Sequence, residues 1–180
     1  MVTPTIKGIF VMSHVKALEK AKGSAARGQL EERYGASINF SNTDDVPIRE
    51  EVKIIEYALD LSSETPVPKG TRSEEAGKLH FRNFSGTPLG KLILPFFKDK
   101  LKLVLMNASN VAGHVFQGVT FRSENLGPHS VRITMENNDY PLAHFQGFFR
   151  AWIEYSGVNG RVEAKDLGGN VYSYSISWEP

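Results

Sequence analysis

The chain has 180 residues, no cysteine, and a formal net charge of +1 from 21 basic and 20 acidic residues. That size suits one domain with one substantial core. The missing cysteines exclude disulfides, thiolate metal sites and cysteine nucleophiles, and the even charge excludes the basic stripe of a dedicated nucleic-acid binder.

The opening stretch MVTPTIKGIFVMSHVKALEKAKG lacks the long apolar run and small-residue cleavage site of a signal peptide. No apolar run approaches the length of a membrane span. A cytoplasmic protein is expected, with no nucleic-acid partner.

Residues 6–12 (IKGIFVM) read as a short buried strand, β-branched and aromatic after a proline. Ser13 is the expected N-cap of a helix over 14–22, which stops at Gly23. A second helix covers 25–34, and 37–45 is polar loop. Asp45 then caps a strong helix with Pro47 in its first turn. Its Ile48, Val52, Ile55 and Leu59 fall at helical spacing, and Arg49, Glu50, Glu51, Lys53 and Glu56 are assigned to the water side. Residues 62–70 form an interhelix loop. Helices follow over 73–84, capped by Ser73, over 87–97, ending near Pro95, and over 98–116. The last is apolar around much of its circumference and is expected to be central.

The period then changes from helical to alternating. Strands are expected over 119–123 and 131–135. Asp139 caps a helix over 141–155 with the stripe Leu142, Phe145, Phe149, Trp152 and Ile153. Strands over 161–166 and 171–178 flank Gly168-Gly169-Asn170, a hairpin signal. The expected architecture is α+β: one domain over 1–180, a helical portion at about 13–116 packed on a C-terminal antiparallel sheet. The order from 98 onward is α-β-β-α-β-β.

Candidate chemistry is sparse. The histidines His14, His80, His114, His129 and His144 show no H-E-x-x-H spacing and are read as packed or surface side chains. Asp44, Asp45, Asp60 and Glu64 are better explained as caps and dipole partners than as metal ligands. Asn137-Asn138-Asp139 reads as a turn before a helix. There is no phosphate loop and no nucleophile elbow, so no enzyme is expected. What remains is aromatic volume. A pocket between helices and sheet is expected among Phe81, Phe84, Leu92, Phe96, Leu105, Phe145 and Phe149, with His114 at its rim.

Two resemblances add to this. Lys7-Gly-Ile-Phe at the start resembles the start of H-NOX domains. Val131-Arg-Ile-Thr-Met-Glu, Phe145-Gln-Gly147 and Tyr174-Ser-Ile-Ser-Trp resemble their end. The same scaffold occurs in 4-vinyl-reductase-type ligand-binding domains and in TRAPP subunits. More specifically, Asp45-Val-Pro-Ile-Arg-Glu-Glu-Val, Ala76-Gly-Lys-Leu-His-Phe-Arg-Asn-Phe, Ala112-Gly-His-Val-Phe and Asn137-Asn-Asp-Tyr-Pro-Leu resemble a myxobacteria-expanded family of unknown function, roughly 200 residues and thus one domain long. The H-NOX likeness implies a sensory or regulatory domain binding a small, largely apolar ligand. The TRAPP likeness implies, as the alternative, a protein–protein adaptor with a filled core and a tendency to dimerise. Haem is not expected. The H-NOX Tyr-x-Ser-x-Arg motif would fall on Met135, Asn137 and Asp139, and all three differ. The only histidine near the expected proximal position, close to Met106, is His114.

Overall fold

The structure is a computed structural model. It describes residues 2–97 and 100–179, and the side chains of all of these except Phe96 and Phe97. Strand β1 (Thr5–Lys7) is central in a small sheet of order β2-β1-β3, with β2 at Asp45–Pro47 and β3 at Phe116–Gln117. The strand expected over 6–12 is therefore short, and helix α1 (Gly8–Lys22) takes over at Gly8. A brief apolar run does not reveal its period, so strand and helix look alike there. Ser13 sits inside α1, where its hydroxyl donates to the Phe10 carbonyl at 2.6 Å. Asp45 is likewise no cap: it lies in β2 and its carboxylate pairs with Lys7 at 2.7 Å.

Helices α2 (Ala25–Tyr34), α3 (Ile48–Ser62), α4 (Arg72–Ser85) and α5 (Pro88–Phe97) follow, the last carrying Pro95 within it. The expected long helix over 98–116 is broken. The described part has α6 (Leu101–Met106) and α7 (Ala108–Ala112), with Asn107 between them. The Asn107 side-chain amide donates to the Leu103 carbonyl at 2.8 Å, and this local bond competes with helix continuation.

The larger sheet has order β4-β5-β7-β6 and is antiparallel throughout: β4 (Thr120–Gly127), β5 (Ser130–Glu136), β6 (Gly160–Gly168) and β7 (Val171–Trp178). The hairpin between β6 and β7 turns through Gly169 (φ 61°) and Asn170 (φ 60°), a primed turn whose twist suits the strands. Helix α8 (Leu142–Ser156) packs between this sheet and α4. It therefore buries both faces, including His144, Phe145, Gly147, Phe148, Phe149 and Trp152. Asp139 does not cap it, since its carboxylate pairs with Arg49 of α3 at 2.9 Å. One continuous core runs from Ile6 in β1 through α1, α3, α4 and α8 to Ile176 in β7. Among the described residues no helix is long and apolar enough to cross a membrane.

Candidate functional site

Four helices each turn one ionisable side chain into this core. On α1, His14 shares a buried stripe with Val11 and Leu18. On α3, Glu51 stands between Ile48 and Ile55 on the buried face, not on the water side where its run of charged neighbours places it. On α4, His80 follows Gly77 and precedes Phe84 on the buried face, and on α8, His144 precedes Phe148. Helical spacing of three and four puts all of them inward. Tyr140, just before α8, completes the group, and none of the five is more than 2% exposed.

His14 Nε2 donates to Glu51 Oε1 at 2.7 Å. Asn83 Nδ2 donates to His14 Nδ1 at 3.0 Å, which fixes the proton of this imidazole on Nε2. His80 Nδ1 is 3.0 Å from His144 Nε2 and 3.6 Å from Glu51 Oε1. The second carboxylate oxygen of Glu51, the Tyr140 hydroxyl and His144 Nδ1 are buried without hydrogen-bond partners. Two of the three, the Glu51 oxygen and the Tyr140 hydroxyl, belong to groups close enough for the carboxylate to act on the phenol as a hydrogen-bond acceptor, whereas buried polar groups are nearly always fully satisfied.

Burial pushes His80 down to about 3 and His144 down to about 4, outweighing the opposing pull of Glu51. Both are neutral imidazoles at pH 7. Burial would raise the Glu51 carboxyl, but His80 and the hydrogen bond from His14 hold it at about 2. With His80 uncharged at neutral pH, the His14 contact is the one that matters there. Burial and the Glu51 charge push the Tyr140 phenol well above its usual value, so it stays protonated.

Two spaces flank the cluster. A surface groove of about 460 Å³ between α1, α3 and α4 reaches His14 and Asn83. On the other side, an apolar cavity of about 60 Å³ lies where α4, α7, α8 and β4 meet. Its wall holds His80 as well as Phe84, Val115, Phe116, Phe145 and Phe149.

Of the lining residues expected from sequence, Phe84, Phe145 and Phe149 stand in that wall. Phe81 is buried but packs instead on Phe148 and Trp152. Leu105 is buried outside the wall. Leu92 is 65% exposed, because α5 turns that position to solvent. His114 is exposed, because α7 ends at Ala112 and leaves it in a turn. Phe96 lies outside the residues whose side chains are described. The polar cluster itself was missed by spacing rules, since its members come from 14, 51, 80, 140 and 144.

This arrangement of helices over a four-stranded antiparallel sheet is the H-NOX fold. The chain is similar to the Fe(II) unliganded H-NOX protein from K. algicida, at 14% identity and a TM-score of 0.63, covering 97% of each chain. It is similar to an oxygen-binding H-NOX domain related to soluble guanylate cyclases, solved as its oxygen complex, at 12% identity and a TM-score of 0.63, covering 97% of this chain and 95% of that one. A variant of the T. tengcongensis H-NOX protein matches at 14% identity and a TM-score of 0.59, covering 97% of this chain and 98% of that one. No curated protein matches the chain in sequence. A family model described as a protein of unknown function (DUF2378) matches residues 3–179, and the chain belongs to that family.

The residues present do not fit haem held in the H-NOX manner. A cavity of about 60 Å³ is far below the roughly 300–1,000 Å³ of sites for large organic ligands. At the motif positions, Met135 is fully buried and Asp139 is an anion already engaged by Arg49. A carboxylate there repels propionates, and His114 faces solvent.

Proposed function

We propose that this chain is a non-enzymatic sensory or regulatory domain that takes a very small apolar molecule in the cavity beside His80. The observation that carries this is the double engagement of His80. Its ring forms part of the cavity wall, and its Nδ1 faces His144 and Glu51 in the polar cluster. A ligand that shifts the His80 ring therefore disturbs the cluster, and through His14 the groove on the far side. The likeness to H-NOX domains, one of them an oxygen complex, supports a small ligand. The cavity size supports the same limit, since an engineered apolar cavity that takes benzene measures about 150 Å³, more than twice this one. Haem is not the proposed ligand. The cavity wall offers no hydroxyl or thiol nucleophile, which supports a binding role over catalysis.

Xenon is the probe. In methyl-resolved NMR, dissolved xenon is expected to shift Ala108, Val111 and Val115, which line the cavity. Ala112→Leu fills the space from the same wall and is expected to abolish those shifts while leaving the fold intact. A wild-type protein blind to xenon sinks the reading, and a stable dimer in that case would favour the adaptor.

A further inference from the structure

The buried polar cluster is not accounted for by a cavity ligand, and its chemistry points elsewhere. Donor atoms of His14, Glu51 and His80 all lie within 4.8 Å of one another. His14 Nε2 and Glu51 Oε1 are 2.7 Å apart, and His80 Nδ1 and Glu51 Oε1 are 3.6 Å apart. Bonds of about 2.0–2.1 Å around a tetrahedral ion place donors roughly 3.3 Å from each other, so these spacings bracket what an ion needs.

We propose that His14, Glu51 and His80 are the ligands of a buried divalent-metal site, taking zinc or a similar first-row transition ion, with His144 and Tyr140 beside it as the groups available for a fourth position. The proposal goes beyond the cavity reading and does not depend on it.

Three observations support it besides proximity. The first is the set of orphaned atoms. Glu51 Oε2, Tyr140 OH and His144 Nδ1 have no partner, and a carboxylate with one oxygen unpaired in a dry core is costly. An ion among the donors would sit against Oε1 and offset the charge of the buried carboxylate as a whole, which lowers that cost. The second is the support around the ligands. Metal-bound histidines use their other ring nitrogen to hold a polar neighbour, and His14 Nδ1 already has Asn83 at 3.0 Å. With an ion on Nε2 the proton of His14 moves to Nδ1, and a flip of the Asn83 amide presents Oδ1 to accept it. The third is access. The groove of about 460 Å³ has His14 and Asn83 in its wall, with Glu75 nearby. Arg82 and mostly apolar side chains complete that wall, so the groove brings solvent to the edge of the first ligand, and a workable site needs such an entry path.

The donor set selects the kind of ion. Two imidazoles and one carboxylate suit zinc or ferrous iron, whereas calcium and magnesium demand mostly oxygen ligands. No cysteine is present, so a thiolate-seeking ion such as Cu(I) is not favoured. Binding one ion moves the single ring proton of His14 from Nε2 to Nδ1, with no net proton released from that ring.

The experiment uses the full, untagged chain stripped with a chelator and titrated with Co²⁺ as a visible reporter, then with Zn²⁺. One equivalent of Co²⁺ per chain is expected to give the ligand-field bands of a low-coordinate site, Zn²⁺ to displace it, and Zn²⁺ to raise the unfolding midpoint. Glu51→Gln and His80→Gln should abolish the bands. Either variant could lose its fold, so Asn83→Ala is the second test. Asn83 is only part-buried, and its loss should weaken Co²⁺ binding about tenfold to a hundredfold without unfolding the protein. A doubled variant of the exposed His114 and His129 should bind as wild type does. Folded wild-type protein that takes up no Co²⁺ and gains no stability from Zn²⁺ overturns the site. So does uptake that survives in folded Glu51→Gln or His80→Gln, or an Asn83→Ala affinity equal to wild type.

Discussion

Acid should unfold the chelator-treated protein between about pH 6 and pH 4, earlier than its carboxylates alone would dictate. His80 and His144 have folded values of about 3 and about 4, against 6.5 when exposed, because burial disfavours their charged forms. Between pH 6.5 and those values the unfolded chain holds protons that the folded chain refuses. Stability therefore rises with pH in that window and is lost as pH falls through it. Glu51 acts in the same direction lower down. Its folded value of about 2 lies below the ordinary 4.5, so its contribution is present above 4.5 and is lost as pH falls toward 2. By pH 4 the two histidines together cost on the order of 5 kcal/mol, comparable to the whole stability of many domains. Urea midpoints followed by Trp152 fluorescence from pH 8 to pH 4 test this. The expected slope approaches two protons per molecule below pH 6, and about half of it should vanish in His144→Gln. A flat profile from pH 7 to pH 4 would show that these imidazoles are charged in the folded state.

The scaffold was far more legible in sequence than the site, for a physical reason. Strand alternation in 171–178, the Gly-Gly-Asn turn and the stripe of α8 are local patterns, and local patterns survive without knowledge of the partner surface. The helix over 98–116 failed because Asn107 forms a side-chain bond that periodicity does not register. The cluster failed because it exists only when α1, α3, α4 and α8 converge. Yet each member carried a faint mark. Glu51 sits three residues after Ile48 and four before Ile55, on the apolar stripe, and a charged residue there is the informative exception. It was assigned to water because Glu50 and Lys53 stand beside it. His80 and His144 likewise hold stripe positions beside Phe81 and Phe145. A lone histidine at such a place says little, and three helices each with one would have said more. Proximity to the cavity was also hidden, since Phe84 and Phe149 are 65 positions apart and the closing residues Val115 and Phe116 come from the misread helix.

Gly77→Ala should destabilise the protein by more than about 3 kcal/mol, above the usual range for overpacking. Helices α4 and α8 meet through glycines from both sides. A Cβ on Gly77 would strike the His144 carbonyl, and a Cβ on Gly147 would strike the Glu74 carbonyl, each far inside van der Waals contact. The atoms struck are backbone, so no rotamer change relieves the clash and the helices must separate. Separation also breaks the 3.0 Å contact between His80 and His144 and loosens the Arg150–Glu74 pair at 2.5 Å, so packing and the polar cluster fail together. The control is the same substitution where nothing is in the way. Gly28 lies within α2 with no atom near its missing Cβ, and Gly28→Ala should stabilise by about 0.5–1 kcal/mol through the lower entropy of the unfolded chain. Opposite signs for one chemical change place the cause in the helix contact and not in helix propensity. Denaturant unfolding of both variants measures it, and Gly77→Ala within 1 kcal/mol of wild type, itself a small change on this scale, would mean that α4 and α8 do not approach as closely as their backbones indicate.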